Sequence, residues 1–198
     1  MNYNQKYLSK ILKCDDISKV IRENLDELTD LIPEIHSMIG FDHKHPHHHL
    51  DVWEHTLFAM SVSPNNFDIR LALLLHDIGK PHSYQEDGGI RHFKGHPEKS
   101  SEIAKKILER LDFNEEYSKK ICTAIKLHDT SLRGSFILDN TELSNLIFEI
   151  QKCDVLAHNP KFNNKRLKYI DALNQLFVTL AIPQEYLNEY NFDINPEK

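Results

Sequence analysis

Residues 67–80 read FDIRLALLLHDIGK. Ile69, Ala72, Leu73 and His76 fall at helical spacing, so an apolar helix runs into a histidine on its buried stripe, with Asp77 next to it. An ionised carboxylate beside an imidazole in an apolar setting needs a compensating partner, and a divalent metal provides one. The pattern recurs in both directions along the chain. Val52, His55 and Ala59 fall at i, i+3, i+7; Ile121, Ala124, Ile125 and His128 at i, i+3, i+4, i+7; Ile147, Ile150 and Asp154 at i, i+3, i+7. Any one of these fits a hydrogen-bonded core residue. Taken together, they would require several separate buried partners for polar side chains on core-facing stripes.

The same three- and four-residue periodicity extends over most of the chain, and with six glycines and eight prolines it predicts an all-α fold. Segment 17–38 reads as one amphipathic helix bent at Pro33. Further helices are expected near 51–62, 67–77, 97–111, 115–128, 141–158, 162–181 and 183–190. Asp87-Gly88-Gly89 marks 83–94 as a loop or short hairpin. A chain of 198 residues, 40% hydrophobic and 27% charged, without a Gly/Ser/Pro-rich linker, reads as a single domain. Its net charge of −6 argues against holding nucleic acid through a broad basic surface, though a local site remains open. Three scattered cysteines, Cys14, Cys122 and Cys153, read as reduced thiols, and neither a signal peptide nor a membrane span is visible. A cytoplasmic location is expected. The compositional anomaly is the 13 histidines.

Read in order, His55, His76-Asp77, His96, His128 and Asp154 sit in the phrases DVWEHTL, ALLLHDIGKP, HFKGHPEKSSEIAKKILERL, IKLHD and KCDVLAH. This resembles the HD-domain phosphohydrolase superfamily, with its pattern H…HD…D and two added histidines in two-metal members. The wording is most similar to the HD region of bacterial CCA-adding tRNA nucleotidyltransferases. The resemblance covers about 46–159, which makes that span an HD core, with 1–45 a helical segment packed on it and 160–198 the closing helices of the same domain. The chain is too short for the nucleotidyltransferase head, so a stand-alone HD protein is expected.

The resemblance implies that His55, His76, Asp77 and Asp154 hold one metal and that Asp77 bridges to a second held by His96 and His128. Two imidazoles and two carboxylates suit Fe, Mn, Co, Ni or Mg, and the lack of a cysteine pair argues against structural zinc. The activity implied is metal-dependent hydrolysis of a nucleotide or small phosphoester, 2′,3′-cyclic nucleotides included. Two alternatives stand beside it: a dinucleoside polyphosphate hydrolase, and a non-catalytic module binding nucleotides or RNA ends. The latter would be marked by a missing ligand, and none is missing. Oligomeric state is not legible.

Around these ligands, Lys80 reads either as a catalytic contact to substrate phosphate or as a solvated lysine past a helix end. Arg91, His92 and Lys94 are candidate substrate-binding residues at the mouth, or a charged loop. Pro97 suits a first helical turn and places His96 near a helix N-terminus. Among His43, His45, His47, His48 and His49, His48 and His49 are candidates for the rim. His158 lies one turn past Asp154 and reads either as a surface polar contact, the favoured reading, or as a residue that orients a metal ligand from behind; Asp129 reads as a helix-end residue and Trp53 as core.

Overall fold

A computed structural model describes residues 2–180. Among them are ten α-helices and one two-stranded hairpin, which bears out the all-α, single-domain expectation. The first helix, α1 (Tyr3–Leu12), is opened by a capping box in which the Asn2 side chain accepts from Gln5 N and the Gln5 side chain accepts from Asn2 N. The single helix expected over 17–38 is instead three pieces: α2 (Ile17–Glu23), α3 (Leu25–Leu31) and a 3-10 turn over Pro33–Ser37. Asn24 causes the first break. Its backbone leaves the helical region at φ −118, ψ 25, and its side chain donates to Val20 O, competing with the helical ladder. Pro33 then ends α3 rather than bending it.

The central helices fall close to expectation: α4 (Val52–Ser61), α5 (Phe67–Leu75), α6 (His96–Arg110), α7 (Glu115–Leu127), α9 (Thr141–Ala157) and α10 (Asn164–Leu180). A short α8 (Gly134–Asp139) was not expected, and the helix expected at 183–190 lies outside the described residues. Strands β1 (Gln85–Asp87) and β2 (Ile90–His92) form the expected hairpin, with Glu86 opposite Arg91. No helix among the described residues is long and apolar enough to cross a membrane.

α5 is the centre of the bundle. Leu71, Ala72, Leu73, Leu74 and Leu75 are all fully buried, enclosed by α1, α4, α6, α7 and α9. A helix that is apolar all round has no solvent face to offer. One continuous core runs from Leu8 on α1 through Trp53 and Leu57 to Ala157, and each large aliphatic there contributes roughly 1.5–3 kcal/mol. A smaller cluster of Ile137, Phe148, Val155, Ile170 and Leu173 seats α10 on α8 and α9.

Gly79 sets how closely the turn after α5 meets α6. Its N–H donates to Ser100 Oγ at 2.9 Å, and a Cβ there would lie 2.5 Å from Ser100 N and 2.8 Å from the His96 carbonyl. Its φ of −83 is open to any residue, so close approach and not backbone freedom demands glycine. Gly79→Ala is therefore expected to cost about 1–3 kcal/mol through overpacking, read as a lowered midpoint in denaturant unfolding. An unchanged midpoint would show that α6 yields freely.

Candidate metal centre

Five helices deliver six buried side chains to one point. His55 lies on α4, held at its N-terminus by the Asp51 carboxylate accepting from Glu54 N. His76 and Asp77 follow α5, His96 opens α6 behind Gly95, His128 follows α7, and Asp154 lies one turn before the end of α9. Helix ends place most of them because there the chain can turn a side chain across the axis of the bundle while its apolar stripe stays in the core.

Each imidazole is oriented by a backbone carbonyl. Nδ1 of His76 meets Leu73 O at 2.7 Å, that of His96 meets Phe93 O at 2.8 Å, that of His128 meets Ile125 O at 2.6 Å, and that of His55 meets Ala157 O at 3.3 Å. A carbonyl only accepts, so Nδ1 carries the proton in all four and the neutral ring turns the Nε2 lone pair inward. These lone pairs face the two carboxylates. His55 Nε2 lies 2.8 Å from Asp154 Oδ1 and 3.6 Å from Asp77 Oδ2, and His76 Nε2 lies 3.3 Å from Asp77 Oδ2 and 3.7 Å from Asp154 Oδ1. On the other side of Asp77, Oδ1 is 3.4 Å from His96 Nε2 and 3.9 Å from His128 Nε2. The six residues thus form two groups sharing Asp77, and within each group the ligand-type atoms lie within 4.8 Å of one another.

The arrangement fits a cation. His96 Nε2 and His128 Nε2 stand 3.3 Å apart, where two bare lone pairs repel unless something positive lies between or beside them. His76 Nε2 and both Asp77 oxygens are buried without a hydrogen bond. Leaving such groups unpaired is costly, and a divalent ion satisfies them together. Nitrogen and carboxylate oxygen are the only donors in the two groups. Cys153 precedes Asp154, but burial pushes its thiol up to about 12, so it offers no thiolate.

The electrostatics agree. Burial pushes Asp77 and Asp154 upward, yet the charges and hydrogen bonds around them win and hold both well below the usual carboxylate range. For Asp77 these are His76, Lys80, His96 and His55; for Asp154, His158, His55 and His76. Burial would lower His76, but Asp77 and Asp154 outweigh it and raise it, so the two carboxylates make this point favourable to positive charge. Burial lowers His96 to about 4, while burial and His76 lower His128; both rings are neutral at pH 7 and ready to coordinate.

Lys80 is not solvated. It is 4% exposed, with Nζ ion-paired to Asp77 Oδ2 at 2.7 Å and 3.1 Å from His43 Nε2. His43, missed as anything but one of a run, is buried. Its Nδ1 donates to Leu50 O, so its Nε2 is free to accept from Lys80, and burial followed by the lysine charge holds its pKa down to about 2. His48 stacks on His43 with ring centroids 3.8 Å apart and lines the mouth, whereas His49 is exposed and does not line it. His158 corrects the surface reading: it is buried, its Nδ1 donates to Asp154 O at 2.8 Å, and its ring lies against His48. The i+4 spacing from Asp154 was the available signal.

Above the ligands opens a cavity of about 530 Å³, with Arg91, His92 and Lys94 on its wall. Arg91 is already engaged. It donates to Asp42 O and Glu86 and lies over the rings of Phe41 and Tyr84, tying the hairpin to the histidine-rich loop. His92 and Lys94 are exposed. Lys126 and Arg166 join the same wall with no prior signal, and Asp129 pairs with Arg166. Trp53 is core, as expected.

The chain is 34% identical over 142 residues to the CC-adding tRNA nucleotidyltransferase of Thermus thermophilus, a match covering 64% of this chain and 32% of that one. It is 36% identical over 92 residues to the A-adding tRNA nucleotidyltransferase of Deinococcus radiodurans, covering 43% and 21%, and 29% identical over 107 residues to the multifunctional CCA protein of Legionella pneumophila, covering 52% and 26%. The chain spans about a third or less of the length of these relatives. The model of the HD domain family matches residues 47–171, a span that holds all six converging ligand-type residues and most of the bundle around them, and the chain belongs to that family.

Proposed function

We propose that this protein is a metal-dependent phosphohydrolase in which His55, His76, Asp77 and Asp154 hold one divalent ion and Asp77, His96 and His128 a second. The observation carrying this reading is the set of four imidazoles with Nδ1 locked to backbone carbonyls and Nε2 turned toward a shared Asp77, which accepts no hydrogen bond and has only the Lys80 ammonium beside it. Fe, Mn, Co, Ni or Mg suits such a nitrogen and carboxylate set. When bound there, divalent ions supply a water of lowered pKa and neutralise phosphate charge.

The chain's own residues do the rest. Asp77 keeps both groups in one frame, Lys80 presents a buried positive charge at the edge of the carboxylate, and the first turn of α6 leaves the Glu98 N–H free, since His96 N and Lys99 N are bonded to Phe93 O and Gly95 O and Pro97 has none. Water adds to phosphorus and the ester P–O bond breaks. One water proton ends on the leaving oxygen and the other is shed by the phosphate product. A nucleotide, 2′,3′-cyclic nucleotides included, is the substrate class we favour, and RNA ends are a further partner class because the similar proteins are named for acting on tRNA. Three unpaired cysteines support a cytoplasmic setting.

A screen with Mn, Ni, Co, Fe and Mg over cyclic nucleotides, nucleoside monophosphates and dinucleoside polyphosphates tests the reading. Cyclic phosphodiester or monoester turnover supports it. Turnover of polyphosphates alone would replace the substrate, and tight metal-dependent nucleotide binding without turnover would replace the activity by a binding module.

Lys80→Ala is expected to keep its metal, since an ammonium is no ligand and Nζ only pairs with Asp77 Oδ2. A hydrogen bond to a charged group is worth about 1.5–3 kcal/mol, so kcat/KM should fall roughly tenfold to a hundredfold. Elemental analysis beside steady-state kinetics checks both halves; unchanged kinetics would confine Lys80 to neutralising Asp77.

A further inference from the structure

The wall of the metal cavity does not close on the side of α10. Past His128, Asp129, Thr130, Asp154 and Arg166 it continues into a second hollow of about 370 Å³. Its apolar lining comes from the buried Val155 and Ile170, with Tyr169 beside them. The Tyr169 ring is held in place: its hydroxyl accepts from Leu132 N at 3.0 Å and lies 3.3 Å from Gln151 Oε1, to which it donates. Gln151 Nε2 in turn donates to Thr130 O at 2.7 Å and to Leu127 O. These polar groups are satisfied among themselves, so the hollow is preformed and offers an oriented aromatic ring and aliphatic contacts, the surroundings a nucleobase takes next to a phosphate site.

At the rim, Arg166 Nη1 lies 3.2 Å from Asp129 Oδ1, with both side chains 44% exposed. An exposed pair of this kind holds its arginine weakly, and the guanidinium fork matches a phosphate. Lys165 stands next to it on the same hollow. A nucleotide with one phosphate, placed over Asp77, would leave this second positive site unused.

Resting on the phosphohydrolase reading, we propose that the hollow is a nucleoside subsite and that Arg166 is the specificity-determining residue that reads a second phosphate. The preferred substrate is then a nucleoside with phosphates on both sides, as at the end of an oligonucleotide, in preference to a nucleoside monophosphate. The reacting phosphate lies over Asp77, the base against Tyr169, and the 5′-phosphate on Arg166, which exchanges Asp129 for it.

Calorimetric titration of the Mn-loaded protein with adenosine 3′,5′-bisphosphate and with adenosine 3′-monophosphate, at a temperature and duration over which no phosphate is released, tests this through affinity alone. The bisphosphate is expected to bind at least about tenfold more tightly, as one charge-assisted contact predicts. Arg166→Ala should reduce that preference to about twofold or less, Arg166→Lys should restore part of it, and Tyr169→Leu should weaken both ligands alike. Equal affinities in the wild type, or a preference that survives Arg166→Ala, would overturn the subsite. Hydrolysis of adenosine 2′,3′-cyclic phosphate with and without a 5′-phosphate separates the two readings. Turnover indifferent to the 5′-phosphate removes the subsite and spares the hydrolase. Selective binding with no turnover of any phosphoester removes the hydrolase and spares the subsite.

Discussion

Asp77→Ala is expected to lose nearly all bound divalent metal and more than about a hundredfold in turnover. The bound rests on a comparison: losing an outer partner of a metal ligand already costs about 10–100-fold, and Asp77 touches both groups directly. Oδ2 faces His55 and His76 while Oδ1 faces His96 and His128, so a single truncation removes an anionic donor from each. It also leaves the Lys80 ammonium buried beside His43 without its counter-charge, which destabilises the fold. Asp77→Asn separates the two effects by keeping the shape and removing the charge. Elemental analysis after loading with Mn or Ni, circular dichroism and the phosphoester screen together decide the matter. A folded Asp77 variant with full metal and full rate would refute the centre.

Four of the six ligand-type residues were legible because a metal centre inside a helical bundle must lie on the core-facing side of its helices. Thus His55, His76, His128 and Asp154 continue the stripes of Val52, Leu73, Ile125 and Ile150, and the 3.6-residue period shows them. His96 shows instead through Pro97, a residue suited to the first turn. Periodicity does not show a break that leaves the pattern intact. Ile17, Ile21, Leu28 and Ile32 keep their spacing across Asn24, yet one non-helical backbone conformation there splits the segment. α1 carried a signal, the Asn2 and Gln5 capping box, that a search for a leader peptide passes over.

What the sequence leaves open is tertiary. It allows Lys80 as a contact to substrate phosphate or as a solvated lysine beyond a helix end, and the turn at Gly79, which folds it back onto Asp77 and under the histidine-rich loop, removes the second reading. Nothing local ties Arg166 to Asp129, 37 residues earlier in the chain. Their meeting depends on how α10 lies across α8 and α9, which is decided by Ile137, Phe148, Ile170 and Leu173. Core positions announce themselves through spacing; the rim of a site is assembled by whichever surface residues the packing brings there.

A His96→Ala, His128→Ala double variant is expected to lose about one ion of two and to fall severely in turnover while remaining folded. The two rings meet Asp77 through Oδ1, whereas His55 and His76 meet it through Oδ2, and the His128 ring also packs edge-on against His76 with centroids 5.1 Å apart. Their removal leaves Asp77 Oδ1 facing an open, polar space that water can enter from the cavity mouth, so the truncation exposes no unpaired charge to an apolar wall. It also removes the contact between the two Nε2 atoms, which is strained in the absence of a cation. The apo variant should therefore unfold no more readily than the apo wild type, and the difference between the two should emerge on adding metal. Titration with Mn, followed by the rise in unfolding midpoint, reads this: two stabilising steps for the wild type and one for the variant. With one ion left to lower the pKa of water and to neutralise phosphate, the rate should drop on every substrate in the screen. A variant that retains the wild-type metal count and rate would make the site mononuclear, with His96 and His128 as groups that meet the substrate.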